Sequence, residues 1–339
     1  MATIRSFDKP FELVDYTEEL LLVPNTWGLI NELGIFRKES VSQHSITIES
    51  STGTLGVITD QVRGARNLVN RDDTRNLRSF PIPHFPLDDF VAPQDIQGKR
   101  AYGTDAAETE AAVIARKLER IRKNHAVTLE VARAYALTTG AIYAPNGTVA
   151  ANYYTDFAVT RKEIDFVLGT AGTEILAKSE EGIAHIQDNL LSGESVSEVV
   201  VLCSPEFFAK LIAHATVKDA YKFYTSTQEP LRQRLVQGGG MNRVFVHGGV
   251  TYIEYRGVYN GTRLIPVGDA YMLPRGTSDM FISYYSPANK FSHVNTLGEE
   301  AYAFSYRDAQ DEKIVLQSEH NAIHLVRRPQ AVVRLFSSN

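Results

Sequence analysis

Apolar residues repeat at every third or fourth position in one long stretch of this chain and at every second position in many short ones. The long stretch is the clearest. From Asp105 to Thr139 neither glycine nor proline occurs, and Ala107, Ala111, Ile114, Leu118, Ile121, His125, Leu129, Ala132 and Ala136 form one narrow stripe. Asp105 with Glu108 three positions on makes a capping-box pair, and Gly140 supplies a stop. The pattern predicts a single amphipathic helix over 105–139, about 50 Å long at 1.5 Å per residue. Arg116, Lys117, Glu119, Arg120, Arg122, Lys123 and Glu130 are expected on its other faces.

Elsewhere the period is mostly two. Ser45 to Ser50 puts Ile46 and Ile48 on one face, and Thr54 to Thr59 follows a turn at Gly53. Ala141 to Ala144 and Val149 to Val159 flank Asn146-Gly147, the favoured hairpin-turn pair. Strands are expected over 197–203, 244–246, 251–255, 270–273, 313–317, 322–327 and 331–336, with shorter helices over 160–169, 173–190 and 205–213. The fold class is α+β. The first hundred residues differ from the rest. Phe80-Pro81-Ile82-Pro83-His84-Phe85-Pro86 carries three prolines, which excludes a helix or a central strand and leaves an extended segment. With little helix and no continuous apolar pattern, this third is expected to lack its own core and to lie against something else.

Composition narrows the picture without redirecting it. The chain has 339 residues, 43 % hydrophobic and 22 % charged, close to the soluble globular average. Its longest apolar runs fall far short of a bilayer span, and residues 1–10 show no apolar signal segment. One cysteine, Cys203, leaves no intrachain disulfide and no multi-cysteine zinc site, and its apolar run predicts an inert buried thiol. A formal charge of −5 has the wrong sign for a surface that grips nucleic acid throughout.

Candidate chemistry is sparse. Gly238-Gly239-Gly240 fits no phosphate-binding spacing and reads as a mobile loop. His320 and His324 have a metal-helix spacing, but no Glu follows His320 and the local period is two, so a half-buried strand is expected. No GxSxG elbow marks a nucleophile. Asp72-Asp73 and Asp88-Asp89 read as solvated loop charges, and Asn146-Gly147-Thr148 and Asn260-Gly261-Thr262 as turns. One charge feature stands out. Arg63, Arg66, Arg71, Arg75 and Arg78 fall within 16 residues that hold two acids and no lysine. Residues 8–19 carry Asp8, Glu12, Asp15, Glu18 and Glu19 against Lys9. The two segments are either solvated loops of opposite sign or surfaces that meet between chains, a role that suits the bidentate arginine fork.

Gly249-Val250-Thr251-Tyr252-Ile253-Glu254-Tyr255-Arg256-Gly257 and Leu264-Ile265-Pro266-Val267-Gly268-Asp269-Ala270-Tyr271-Met272-Leu273-Pro274-Arg275-Gly276 resemble the signature region of the lambda-like major capsid proteins of tailed bacteriophages. The resemblance continues in Tyr284-Tyr285-Ser286-Pro287-Ala288, in Asn295-Thr296-Leu297-Gly298 and in Gln317-Ser318-Glu319-His320-Asn321 to Arg327-Arg328-Pro329, with Phe36-Arg37-Lys38-Glu39-Ser40 near the other end. It implies the Hong Kong 97-like capsid fold. The expected map is an N-terminal arm over 1–44, an E-loop hairpin over 45–98, a peripheral domain over 99–195 and 312–339 with a spine helix at 105–139, and an axial domain over 196–311. It also explains the first third: an arm and an E-loop lie across neighbouring subunits, so residues 1 to about 98 should be protease-sensitive in isolated subunits.

The resemblance implies a structural protein with no catalytic, cofactor or metal residues. Such a protein assembles with itself into hexamers and pentamers of an icosahedral head, in the host cytoplasm, and ends in the virion. Further partners would be a decoration protein, a portal and a scaffold, with packaged DNA touched non-specifically and no membrane. Some relatives crosslink an E-loop lysine to an asparagine, but no lysine stands between Lys38 and Lys99, so noncovalent contacts are expected here. Two other readings are an encapsulin-like compartment, which shares the fold and encloses a cargo enzyme, and a soluble enzyme, which would need a polar site the sequence does not show.

Overall fold

The computed structural model describes residues 14–15, 17, 28–52, 74–98, 109–190, 193–218, 235–237 and 240–339. Val199-Val200-Val201-Leu202-Cys203 is apolar at every position because both of its faces are covered. Its strand, Glu198–Cys203, lies inside a six-stranded sheet with the order Val244–His247, Val250–Glu254, Glu198–Cys203, Asp269–Arg275, Val333–Phe336, Glu163–Asp165. Alternate side chains enter two different cores. Val200 and Leu202 join the largest one, whereas Val201 and Cys203 pack with Phe207, Phe208 and Leu211 on the other side. The helices Ile175–Asp188 and Pro205–Ala213 cover that second face.

The other large sheet is built around one strand of 13 residues, Ile314–Val326. Tyr302–Arg307 pairs with residues 314–319 and Phe281–Tyr285 with 322–326, both antiparallel. Arg37–Ser40 adds parallel to Phe281–Tyr285, and Val14–Asp15 adds to Tyr302–Arg307. His84–Val91 pairs with residues 314–321. Among the described residues it bonds no other strand, which is the edge position that Pro86 requires. The sequence suggested two strands here, 313–317 and 322–327. Ser318, Glu319, His320 and Asn321 interrupt the apolar pattern, yet the strand runs through them.

The long helix spans Glu110–Thr139. Thr109 caps it, its Oγ1 accepting from the Ala112 N–H at 3.3 Å, while the expected cap at Asp105 and Glu108 lies outside the described residues. It ends at Gly140, where φ is 68°. In the first half Ile114, Leu118 and Ile121 of the expected stripe, joined by Val113, pack on Val91, Ala301, Ala303, Ile314 and Leu316. The second half is buried on nearly every side, and here the expectation is corrected. Arg122 is 5 % exposed and Glu130 fully buried, although both were expected on the polar faces away from the apolar stripe.

The cover comes from the N-terminal third, which corrects a second expectation. Leu29, Ile30, Leu33, Ile35 and Phe36 are buried in the main core, and Phe80 packs on Tyr153 and Phe157 with ring centroids 6.3 and 6.2 Å apart. Residues 28–40 and 80–91 thus pack on their own chain. A helix of only five residues, Leu29–Leu33, is too short to show a period in sequence. Ser45–Thr52 and Thr74–Pro81 form an antiparallel ladder that joins neither large sheet. The expected turn at Gly53 and strand at 54–59 lie outside the described residues, as do Gly238 and Gly239, whose flanks pair as Leu235–Gln237 with Gly240–Asn242.

Two local expectations change as well. Residues 160–169 hold the strand Glu163–Asp165 where a helix was expected, because Ile164, Phe166 and Leu168 are buried at a period of two. Residues 149–159 hold the short helix Tyr153–Asp156, and only an isolated bridge joins Ala141 to Asn152. The sheets also cut across the expected domain limits. The sheet around Ile314–Val326 takes Phe281–Tyr285 and Tyr302–Arg307 from the expected axial segment, and the other takes Glu163–Asp165 and Val333–Phe336 from the peripheral one.

Candidate functional site

Within Ala126-Val127-Thr128-Leu129-Glu130-Val131-Ala132-Arg133-Ala134, two charged residues stand alone in an apolar stretch of helix. They organise a buried polar hub. The Glu130 carboxylate accepts from the Ile30 N–H at 2.9 Å, the Asn31 N–H at 2.8 Å and the Tyr255 hydroxyl at 2.7 Å. Ile30 and Asn31 belong to the first turn of Leu29–Leu33, whose N-cap, Gly28, has no side chain to offer. A carboxylate from a helix one hundred residues away therefore satisfies those orphan donors.

Arg133, one turn further on, donates from Nη1 to Asn31 Oδ1 at 2.9 Å. Its Nη2 donates to Ser283 Oγ at 3.2 Å and Tyr285 Oη at 3.3 Å, and the guanidinium lies over the Phe36 ring. Ser283 Oγ is 2.8 Å from His324 Nδ1. One cluster thus ties residues 28–36, the long helix, the sheet around Ile314–Val326 and, through Tyr255, the second sheet. Burial raises the Glu130 pKa, against the pull of Tyr255, the two backbone N–H groups and Arg133. Burial and the neighbouring Glu130 carboxylate likewise raise the Tyr255 hydroxyl well above its ordinary value.

A second polar group continues along the same interface. His125 Nε2 lies 3.0 Å from Ser318 Oγ, and Ser318 Oγ donates to the Leu87 carbonyl at 2.6 Å. His320 Nδ1 donates to the Glu300 carbonyl at 2.5 Å, and its ring lies 5.9 Å from that of His125. Glu319 Oε1 accepts from the Asn289 N–H at 2.8 Å, and Asn321 Nδ2 donates to the Pro287 carbonyl at 3.1 Å. The four polar residues that interrupt the central strand are therefore each engaged. Burial, with the positive charge of nearby arginines, pushes His125 down to about 3, His320 to about 4 and His324 well below its ordinary value. All three are neutral at pH 7. The Glu300 carboxylate pairs with Lys38 at 2.9 Å and Arg122 at 3.4 Å; burial raises its pKa, but these cations outweigh it and hold the carboxyl below the usual range.

This arrangement joins elements; it does not present an exposed nucleophile to a base. Among the described residues no group of three or more His, Cys, Asp or Glu side chains is placed to hold a metal ion. His320 and His324 are buried and keep separate partners. Cys203 is buried, and burial raises its thiol. No helix among the described residues is long and apolar enough to cross a membrane.

The arginine cluster is only partly visible. Arg63, Arg66 and Arg71 lie outside the described residues, as do Asp8, Lys9, Glu12, Glu18 and Glu19. Arg75 sits opposite Ser51 in the hairpin ladder, and Asp15 opposite Phe304. Arg78 pairs within its own chain, with Asp156 at 2.8 Å. Nothing in the sequence brought Glu130, Arg133, Asn31, Tyr255, Ser283 and Tyr285 together as one site. Its only signal was the lone Glu and Arg three apart inside an apolar stretch.

The fold aligns over nearly the whole chain with solved tailed-phage capsids, so it is the Hong Kong 97-like capsid fold. The capsid of the myovirus XM1 aligns with a TM-score of 0.54 at 9 % identity, over 91 % of each chain. That of cyanophage P-SCSP1u aligns with a TM-score of 0.52 at 11 % identity, over 100 % of this chain and 92 % of the other. The family model described as phage major capsid protein E matches residues 12–337. The major capsid protein of Pseudomonas phage KPP10 is 46 % identical over 98 % of this chain and 99 % of its own. That of Salmonella phage Felix O1 is 30 % identical over 95 % of both. The chain belongs to the phage major capsid protein E family.

Proposed function

We propose that copies of this chain close into an icosahedral phage head of hexamers and pentamers that encloses packaged double-stranded DNA, and that the chain catalyses no reaction. The observation that carries this reading is the 46 % identity to a major capsid protein over nearly the whole of both chains. The hub supports it physically. A shell subunit must pass load from one neighbour to another, and a buried, hydrogen-bonded junction between the long helix and both sheets resists internal hinging.

In this reading the sheet around Ile314–Val326 and the long helix form the peripheral body, the second sheet the axial body, and the hairpin of Ser45–Thr52 and Thr74–Pro81 the E-loop. Arg63, Arg66, Arg71 and Arg75 meet acidic groups of a neighbouring subunit, Arg78 being engaged by Asp156. A decoration protein, a portal and a scaffold complete the head, which is built in the host cytoplasm, and the shell contacts DNA without sequence preference. With no lysine between Lys38 and Lys99, neighbouring subunits are not crosslinked through the E-loop.

Electron microscopy of cells expressing the chain tests the reading, together with denaturing gels of the purified product. Closed particles that run as single uncrosslinked chains are expected. A product that stays monomeric at every concentration would overturn it, and particles filled with a co-purifying enzyme would favour the compartment reading instead.

A further inference from the structure

Three large apolar side chains are exposed within residues 291–297. Phe291 is 100 % exposed, Leu297 65 % and Val294 60 %. Phe291 opens the 3-10 turn Phe291–His293, and Val294 and Leu297 follow it within four residues. Such exposure is costly in water and is uncommon without a use.

The segment that carries them is firmly braced. The Asn289 N–H donates to Glu319 Oε1, and Lys290 Nζ donates to Gln317 Oε1. The Gly298 N–H donates to the Val41 carbonyl at 3.0 Å, and the Glu299 N–H to the Tyr302 hydroxyl at 2.8 Å. Beneath the turn the His293 ring packs on Tyr302 and Phe304, with centroids 5.1 and 5.4 Å away. The apolar side chains are thus held outward by a scaffold of satisfied polar groups, an arrangement that lowers the ordering cost of docking.

We propose that residues 291–297 form an apolar contact with a second copy of this chain, separate from the E-loop arginines; this rests on the shell reading above. Area is the argument for that occupant. A fully exposed phenylalanine offers about 200 Å², and the three side chains together offer on the order of 400 Å². A standard stable interface uses roughly 800 Å² on each partner. The patch is therefore too small to hold a dimer in solution, but it is the size of a contact that engages when other contacts already hold two copies together. Its rim weighs against a lipid surface as the occupant. Ser292, Asn295 and Thr296 around it carry no charge, and Lys290 is the one lysine or arginine in residues 289–299, so an anionic lipid surface would meet a single cation and not a basic cluster.

Cys203 is the chain's only cysteine and is fully buried, so a thiol introduced into the patch can be followed alone. Phe291→Cys and, separately, Leu297→Cys are labelled with a maleimide as free subunits and as particles formed by this chain with no other phage protein. Labelling about tenfold or more slower in particles is expected, because docked interface centres exclude solvent. Equal rates in the two states for both variants would overturn the contact, and would leave the patch for a different protein. If Phe291→Cys alone blocks particle formation while its thermal melt matches the parent, that supports the contact, and Leu297→Cys supplies the rate. Absence of particles from the unsubstituted chain would sink the shell reading and this inference with it, whereas particles with a freely reactive patch would sink only the inference.

Discussion

The carboxylate of Glu130 occupies the space in which a side chain at position 28 would begin: an ideal Cβ on Gly28 would lie 2.3 Å from Glu130 Cδ. Gly28 also has a φ of 96°, a conformation that residues with a Cβ adopt only under strain. Both constraints act on one atom. Gly28→Ala should therefore destabilise the subunit by roughly 3 kcal/mol, combining backbone strain with displacement of a buried acceptor. A urea titration reads this directly, and a loss below about 1 kcal/mol would mean that the hub tolerates rearrangement.

Glu130→Gln keeps the shape and removes the charge. All three of its partners donate, so the new amide must point N–H groups at other donors. The expected loss is about 2 to 4 kcal/mol. Burial raises the pKa of this carboxyl, and the measurement separates the two protonation states. A near-silent substitution in the denaturation midpoint would show that Glu130 is already neutral in the native subunit.

Acid stability follows from the histidines. His125 and His320 are pushed down to about 3 and about 4 in the folded chain, whereas unfolded histidine titrates near 6.5. Below pH 6.5 the unfolded state takes up protons that the native state refuses, so native stability falls as pH falls and continues to fall until the folded values are reached. For His320 the loss between pH 6.5 and pH 4 is on the order of 3 kcal/mol. Melting temperatures across that window should drop steeply in the parent and less steeply in His320→Gln. Parallel curves for the two proteins would contradict the assignment.

Ile121→Asp places a carboxylate among Leu118, Ile114 and the strand residues Ile314 and Leu316. No counter-charge is available within that apolar cluster, and the cost is several kcal/mol, a large part of the stability of a domain. Soluble yield should collapse. Normal recovery and assembly of this variant would mean that the first half of the long helix is packed on another face.

For the arginines, Arg63→Ala with Arg66→Ala should leave the melt of the free subunit nearly unchanged and lower the yield or salt tolerance of particles. Replacement by lysine should be intermediate, since charge survives and the bidentate fork does not. Arg78→Ala, in the strand Thr74–Pro81, is a contrast. Its partner Asp156 is on the same chain, so any effect appears in the free subunit, and an exposed pair of this kind is worth about 0 to 1 kcal/mol. Particle yield that responds to Arg78 but not to the Arg63 and Arg66 pair would reverse the assignment.

The strands and helices that bury a regular face were legible in sequence: Glu198–Cys203 from its unbroken apolar run, Pro205–Ala213 as a short helix, the end of the long helix from Gly140. The hub was not. Hydrophobic periodicity locates residues that avoid water, and Glu130 and Arg133 are buried for the opposite reason, because polar partners from distant segments meet them there. The same blindness divided Ile314–Val326 in two at Ser318. Residues 28–36 were missed because a five-residue helix carries less than two turns of pattern, and their partner surface lies a hundred residues away.

The position of Ile314–Val326 in the order of synthesis has a consequence for when a subunit can exist. Three strands and the long helix meet on it, among them His84–Val91, more than two hundred residues upstream. Until that strand is made, His84–Val91 lacks its pairing partner and the first half of the long helix lacks much of the surface it packs on. Folding of this body must wait until about residue 326 has left the exit tunnel, and such long-range closure is intrinsically slow. A growing chain is thereby kept from joining a shell, and only a finished polypeptide offers its neighbours a complete set of contacts.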